Sequence, residues 1–265
     1  MKRAFSHWFV NGLAAVLFFI VITGCTTSET GRIQYGLIGG GMTPAQESEL
    51  GLTAFEQLKK EVPISKNAEY NALVSKVGAR IAEQAKSKLP DAKWEFVVFE
   101  SAEANAFCLP GGKIGVYTGI LPITKTEEGL ATVLGHEVAH ASNHHGAERM
   151  GEATAINKAT SAAGGYVSGN YQAVAATAFG LVGKGAELAF SRTHESEADH
   201  VGLLYMARAG YNPEEAVKFW ERFSAASKGQ SEGIKWTRTH PLTADRIADL
   251  KKLLPEAKAA YKPAK

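Results

Sequence analysis

Five consecutive residues constrain this chain more than any other feature: His136-Glu137-Val138-Ala139-His140. Two histidines four apart share a face on an α-helix, so both imidazoles can reach one ion. The flanking residues support a helix. Leu130, Val133, Leu134, Val138 and Ala141 recur at helical spacing, and Thr126-Glu127-Glu128 puts acids in the first turn, where the helix dipole favours them. Gly135 is small where close packing is expected. Zinc accepts imidazole nitrogens at about 2.0–2.1 Å, so His136 and His140 read as metal ligands. Glu137, beside the first ligand, is placed to accept a proton from an attacking water as general base. A purely structural zinc normally has four protein ligands, and in such a site a glutamate between ligands would have no duty.

A catalytic zinc needs a third protein ligand. The metzincin continuation puts a histidine ten residues after the first, but that position is Gly146. The best donor segment is Ser191-Arg192-Thr193-His194-Glu195-Ser196-Glu197-Ala198-Asp199. Glu195 and Asp199, four apart, share a helix face, and Glu197 points away from both. Glu195 fits a ligand, and Asp199 fits a carboxylate that orients a ligand histidine from behind. On spacing alone Glu187, His194 and His200 compete for the ligand role. His144, His145, His194 and His200 are expected in solvent or behind the ligands. His240, in Thr239-His240-Pro241 ahead of a helix carrying Arg246, stands between a surface role and the active site.

The amino terminus has a different character. Lys2 and Arg3 precede an apolar run from Leu13 to Ile22, which ends in Ile22-Thr23-Gly24-Cys25. This is the form of a secretory signal with a bacterial lipobox, and the run falls short of the roughly 20 apolar residues of a membrane span. It predicts a signal peptide over 1–24, lipid on Cys25 as a membrane anchor, a flexible Gly/Thr/Ser-rich tether over 25–43, and residence at a bacterial outer membrane facing the periplasm. Cys108 is the only other cysteine. With Cys25 acylated no internal disulfide can form, and Cys108 reads as a small buried apolar residue.

The rest of the chain predicts one α+β, mainly helical domain over 44–265. The whole chain of 265 residues is 45% hydrophobic and 21% charged, enough for a substantial core. A net charge of +2 gives no electrostatic case for nucleic acid. Thr43-Pro44 opens one helix to about Lys60, and a second spans about Asn67 to Leu89. Trp94 to Phe99 reads as a strand. Ala106 to Leu109 and Ile114 to Thr118 flank the turn signal Gly111-Gly112. Residues 159–183 carry no charge and several glycines, and read as packed Ala-rich helix with a break. Further helices are expected around Glu187–Ala209, Pro213–Ala226 and Leu242–Leu254.

The pair of H-E-x-x-H at 136–140 and E-x-x-A-D at 195–199 resembles the gluzincin peptidases of family M forty-eight. That group holds the CAAX prenyl proteases, the HtpX heat-shock proteases and exported lipoproteins like LoiP. Asn105-Ala106-Phe107-Cys108-Leu109-Pro110-Gly111-Gly112 is similar to the family's strand before the active-site helix, with Cys108 a departure from the usual small aliphatic residue. Thr30-Gly31-Arg32 with Gln34, and Thr239-His240-Pro241 with Arg246-Ile247, are similar to its exported members. The resemblance implies a zincin-like metalloprotease domain with a small β-sheet beside the active-site helix, one Zn2+ per chain, and Glu195 as third ligand with Asp199 and Arg246 in support. It also brings His240 toward the site as oxyanion donor or fourth ligand. Polypeptide would bind along Ala106, Phe107, Cys108 and Leu109 by strand addition. The expected function is endopeptidase action on exported or membrane-associated proteins, in envelope quality control. A lipoprotein scaffold with structural zinc and a membrane-embedded protease are the rival classes. Glu137 argues against the first, and the lack of strong apolar spans past the signal against the second.

Overall fold

The computed structural model describes residues 26–28, 30–34, 43–151, 189–228, 236–241 and 245–263. The expected signal peptide, Cys25, the 159–183 segment and Glu187 lie outside the described residues. Thr43 caps helix α1 (Pro44–Glu61) through a reciprocal box with Gln46, with Pro44 in the first turn as its missing N–H allows. Asn67 caps α2 (Ala68–Gln84) by accepting from the amides of Glu69 and Tyr70.

Three strands follow, β3 (Glu95–Phe99), β4 (Ala106–Leu109) and β5 (Lys113–Tyr117), in the order β3-β5-β4. β5 runs parallel to β3 and antiparallel to β4. The turn joining β4 to β5 has three residues rather than two, because Leu109 pairs with Lys113. Gly111 and Gly112 both sit at positive φ, 80° and 81°, which a side chain would resist. β4 lies against helix α4 (Glu127–Ser142). Between sheet and helix come a 3-10 turn (Thr118–Ile120) and the short α3 (Leu121–Thr124).

Helix α4 is the centre of the molecule: every residue from Gly129 to Ser142 is buried. A helix surrounded on all sides loses the one-faced amphipathic pattern. Residues 145–151 are also helical, and helices α5 (Arg192–Arg208), α6 (Glu214–Lys228), α7 (Trp236–Thr239) and α8 (Arg246–Ala260) follow. Helix α5 crosses α4 at Gly135 and Gly202. A methyl on Gly135 would stand 2.6 Å from the Gly202 carbonyl oxygen, and one on Gly202 2.7 Å from the Gly135 carbonyl carbon. That contact sets how closely the two ligand-bearing helices approach.

Part of the segment expected as a tether is instead docked. Thr26–Thr27 pairs antiparallel with Ile33–Gln34 as β1 and β2, around a turn with Gly31 at φ 81°. Arg32 reaches into the body to Glu148 and Glu197. The ion pairs give this stretch a fixed place that its Gly/Thr/Ser composition did not suggest.

Candidate metal centre

Helix α4 presents His136 and His140 on one face, and Glu195 projects toward them from α5. His240 follows α7, its amide bonded to the Trp236 carbonyl at 2.8 Å. One ligand atom from each of these four buried residues lies within 4.8 Å of the others. The spacings are informative. His136 Nε2 is 3.0 Å from His140 Nε2 and 3.2 Å from His240 Nδ1. Glu195 Oε1 is 3.4 Å from His140 Nε2 and 2.9 Å from His240 Nδ1. Atoms bound about 2.1 Å from one tetrahedral ion stand about 3.4 Å apart. Three imidazole nitrogens converging on one point cannot all donate to one another, whereas a cation accepts all three lone pairs. The donor set fits a zinc ion.

The electrostatics agree. Burial alone would raise the Glu195 carboxyl, but the neighbouring His240, Arg246 and His136 outweigh it and hold it well below the usual range. Burial drives the His140 pKa well below its ordinary value despite the pull of Glu195, which keeps the ring neutral with a lone pair to give. Among the described residues Glu195 Oε2 makes no hydrogen bond, although Arg246 Nη1 lies 2.8 Å away in a misaligned ion pair.

Asp199 lies behind the ligands. Its Oδ1 lies 3.0 Å from His136 Nδ1, and Arg246 Nη2 lies 3.3 Å from the same nitrogen. Arg246 fixes this carboxylate with two bonds of 2.7 Å, from Nε to Oδ2 and from Nη2 to Oδ1. Its guanidinium lies 3.6 Å over the Trp220 ring.

Glu137 lines a cleft beside the ligand cluster, together with Ala106, Phe107, Cys108, Pro110, His140, Thr239 and His240. The Trp236 indole Nε1 donates to Glu137 Oε1 at 2.8 Å, and His240 Nε2 lies 3.5 Å from the same oxygen. Trp236 stacks on Trp220 with centroids 5.1 Å apart. Trp236 was not singled out from the sequence. The available signal was its position four residues before His240, which puts both on one side of a short helical turn. Cys108 is free and buried, with its thiol pushed up by burial and by Glu137. Leu109, expected to bind substrate, is fully buried with Phe55, Phe99 and Phe107 and is not among the residues lining the cleft.

The remaining histidines separate clearly. His200 pairs at 2.7 Å with the exposed Glu256, away from the centre. His144 pairs with Glu47 at 2.9 Å on the cleft wall. His194 bonds Glu148 at 2.7 Å. His145 is not solvated: it is fully buried, 2.9 Å from His140, with burial lowering it to about 4.

Comparison with known proteins adds the lineage. The sequence pattern of Peptidase family M48 matches residues 68–254. The mitochondrial metalloendopeptidase OMA1 of Schizosaccharomyces pombe is 39% identical over 184 residues, 69% of this chain and 53% of that protein. OMA1 of Saccharomyces cerevisiae is 37% identical, over 66% of this chain and 51% of its own length. The putative β-barrel assembly-enhancing protease of Vibrio cholerae is 29% identical, over 80% of this chain and 44% of its own length. The chain thus spans about half the length of the curated relatives it matches. These relatives correct the placement expected from the amino terminus. The two yeast proteins are mitochondrial rather than bacterial outer-membrane lipoproteins, so that location does not stand. Among the described residues no helix is long and apolar enough to cross a membrane. The matched region includes the H-E-x-x-H helix, Glu195, Asp199, His240 and Arg246, and on that match the chain belongs to Peptidase family M48.

Proposed function

We propose that this chain is a zinc-dependent endopeptidase that hydrolyses polypeptide substrates, with one Zn2+ held by His136, His140 and Glu195 and with Glu137 as general base. The observation that carries the reading is a convergent set of buried ligand atoms directly beside a cleft-facing carboxylate. When bound, zinc supplies a Lewis acid and brings the pKa of water to about 7. Glu137 takes the proton of the attacking water and carries it to the leaving amine. Trp236 holds Oε1 of that carboxylate in place, leaving Oε2 to do the transfer. Peptide lies along Ala106, Phe107 and Cys108, at the sheet edge formed by β4.

His240 is a displaceable fourth ligand in this reading. Its Nδ1 stands among the ligand atoms, 2.9 Å from Glu195 and 3.2 Å from His136. Four protein ligands close a zinc site, and a catalytic one needs an open position, so swinging His240 out would open it. Protein quality control at membranes is the substrate reading, supported by the similarity to a β-barrel assembly-enhancing protease.

Metal analysis with casein digestion tests the whole. Wild type should hold one zinc and cleave casein. Glu137→Gln should hold zinc and cleave at least ~10²-fold more slowly, the usual scale for a general base. Undiminished cleavage by Glu137→Gln overturns the assignment.

A further inference from the structure

His140 has a support of its own, built from residues that the metal motif does not contain. With Nε2 directed at the metal position, a neutral His140 carries its proton on Nδ1. That atom lies 2.9 Å from His145 Nδ1, which therefore accepts. His145 then carries its proton on Nε2, which lies 2.9 Å from Glu197 Oε2 and donates there. Only this assignment of protons satisfies both bonds while leaving His140 Nε2 free. Arg32 holds Glu197 in turn, its Nε donating to Oε2 at 2.7 Å, and Thr30 donates to Oε1. The other end of the Arg32 guanidinium bonds Glu148 at 2.9 Å, and Glu148 accepts from His194. His145 and Glu197 are buried, and His145 stacks on His194 with centroids 4.5 Å apart.

The arrangement repeats the one behind His136. There, Asp199 Oδ1 lies 3.0 Å from His136 Nδ1, and Arg246 clamps Asp199. Here, His140 donates through His145 to Glu197, and Arg32 clamps Glu197. Each ligand histidine thus ends on a carboxylate locked by an arginine. The second clamp comes from the β1–β2 turn, before residue 68, where the family match begins.

We propose that His145 and Glu197 are positioning residues for the zinc ligand His140, and that Arg32 makes the amino-terminal hairpin part of the metal site. This rests on the zinc-site reading above. Changes behind a metal ligand typically cost about 10–100-fold in metal affinity. A residue that only packs would affect folding without singling out the metal.

The test is zinc release from the full-length zinc-loaded chain to an excess of a chromophoric chelator, with visible spectra of the cobalt-substituted protein and thermal melting of metal-free samples. His145→Phe keeps ring volume but removes the acceptor. It should release zinc about 10–100-fold faster and shift the cobalt bands. His145→Asn, which can accept from His140 and donate to Glu197, should restore retention to within a few-fold of wild type. Glu197→Gln and Arg32→Gln should each speed release, by less than His145→Phe. Where His145→Phe does not fold, these two variants decide. Release and cobalt spectra at wild-type values in folded Glu197→Gln and Arg32→Gln overturn the proposal, as does faster release in His145→Phe that His145→Asn does not reverse. His140→Ala separates the two layers. If it keeps zinc as wild type does, the zinc-site reading itself fails. If it loses zinc while the relay variants do not, only the relay fails.

Discussion

Trp236 Nε1 donates to Glu137 Oε1 across 2.8 Å, a bond between residues 99 positions apart in the chain. The same oxygen is 3.5 Å from His240 Nε2, so the indole sets which carboxylate oxygen is free to move a proton. Trp236→Phe keeps the ring stack on Trp220 and removes the donor. The expected result is a kcat lower by about 10-fold with normal zinc content and little change in KM, as for an interaction serving only the transition state. Steady-state peptide hydrolysis with metal analysis checks it, and an unchanged kcat removes Trp236 from the mechanism.

Glu195 and Asp199 should respond differently to substitution. Glu195→Ala removes a ligand atom and should cost most of the bound zinc. Asp199→Asn leaves an acceptor near His136 and should cost about 10–100-fold in affinity or activity. Competition titration against a calibrated chelator measures both. Normal zinc affinity in Glu195→Ala would mean that the third ligand is elsewhere.

His240→Ala frees the fourth position in the closed cluster. Faster peptide hydrolysis together with quicker zinc loss is the expected outcome, both read from one preparation. Slower catalysis with normal zinc retention would instead make His240 an oxyanion donor. No change in either quantity would put it outside the site.

The His144–Glu47 pair on the cleft wall gives a pH signature. The hydrogen bond that His144 donates to Glu47 raises the His144 pKa above its ordinary 6.5, burial working against it. A raised folded pKa contributes stability that is fully present below the unfolded value and is lost as pH rises through the folded one. Wild type should therefore melt above Glu47→Gln at about pH 5.5, and the gap should close by about pH 9. A gap independent of pH means the pair acts by packing rather than by charge.

Gly202→Ala tests the helix crossing. Its added methyl meets the Gly135 carbonyl carbon and the His136 amide nitrogen, both at 2.7 Å. Forcing the helices apart should cost about 1–3 kcal/mol and loosen zinc binding, since His136 and Glu195 sit on opposite sides of the contact. Denaturant unfolding of the metal-free protein reads the first effect and chelator competition the second. Wild-type values in both show that the helices can part without disturbing the ligands.

Local chemistry was written in the sequence. The i,i+4 histidines, the Thr43-Pro44 helix start and the Gly111-Gly112 turn each depend on residues a few positions apart, so spacing and propensity suffice to read them. Glu195 and Asp199 followed from one helix face together with the resemblance to a family. Tertiary structure alone decided the long-range partners. Trp236 behind Glu137, Glu197 behind His145, and Arg32 on Glu197 are joined across 52 to 165 residues. A hydrogen bond needs two groups at one place with the right orientation. A lone Trp, His or Glu in a sequence carries no mark of what it will meet. Only the crossing of the helices at Gly135 and Gly202, and the docking of the amino-terminal hairpin, brings those groups within reach.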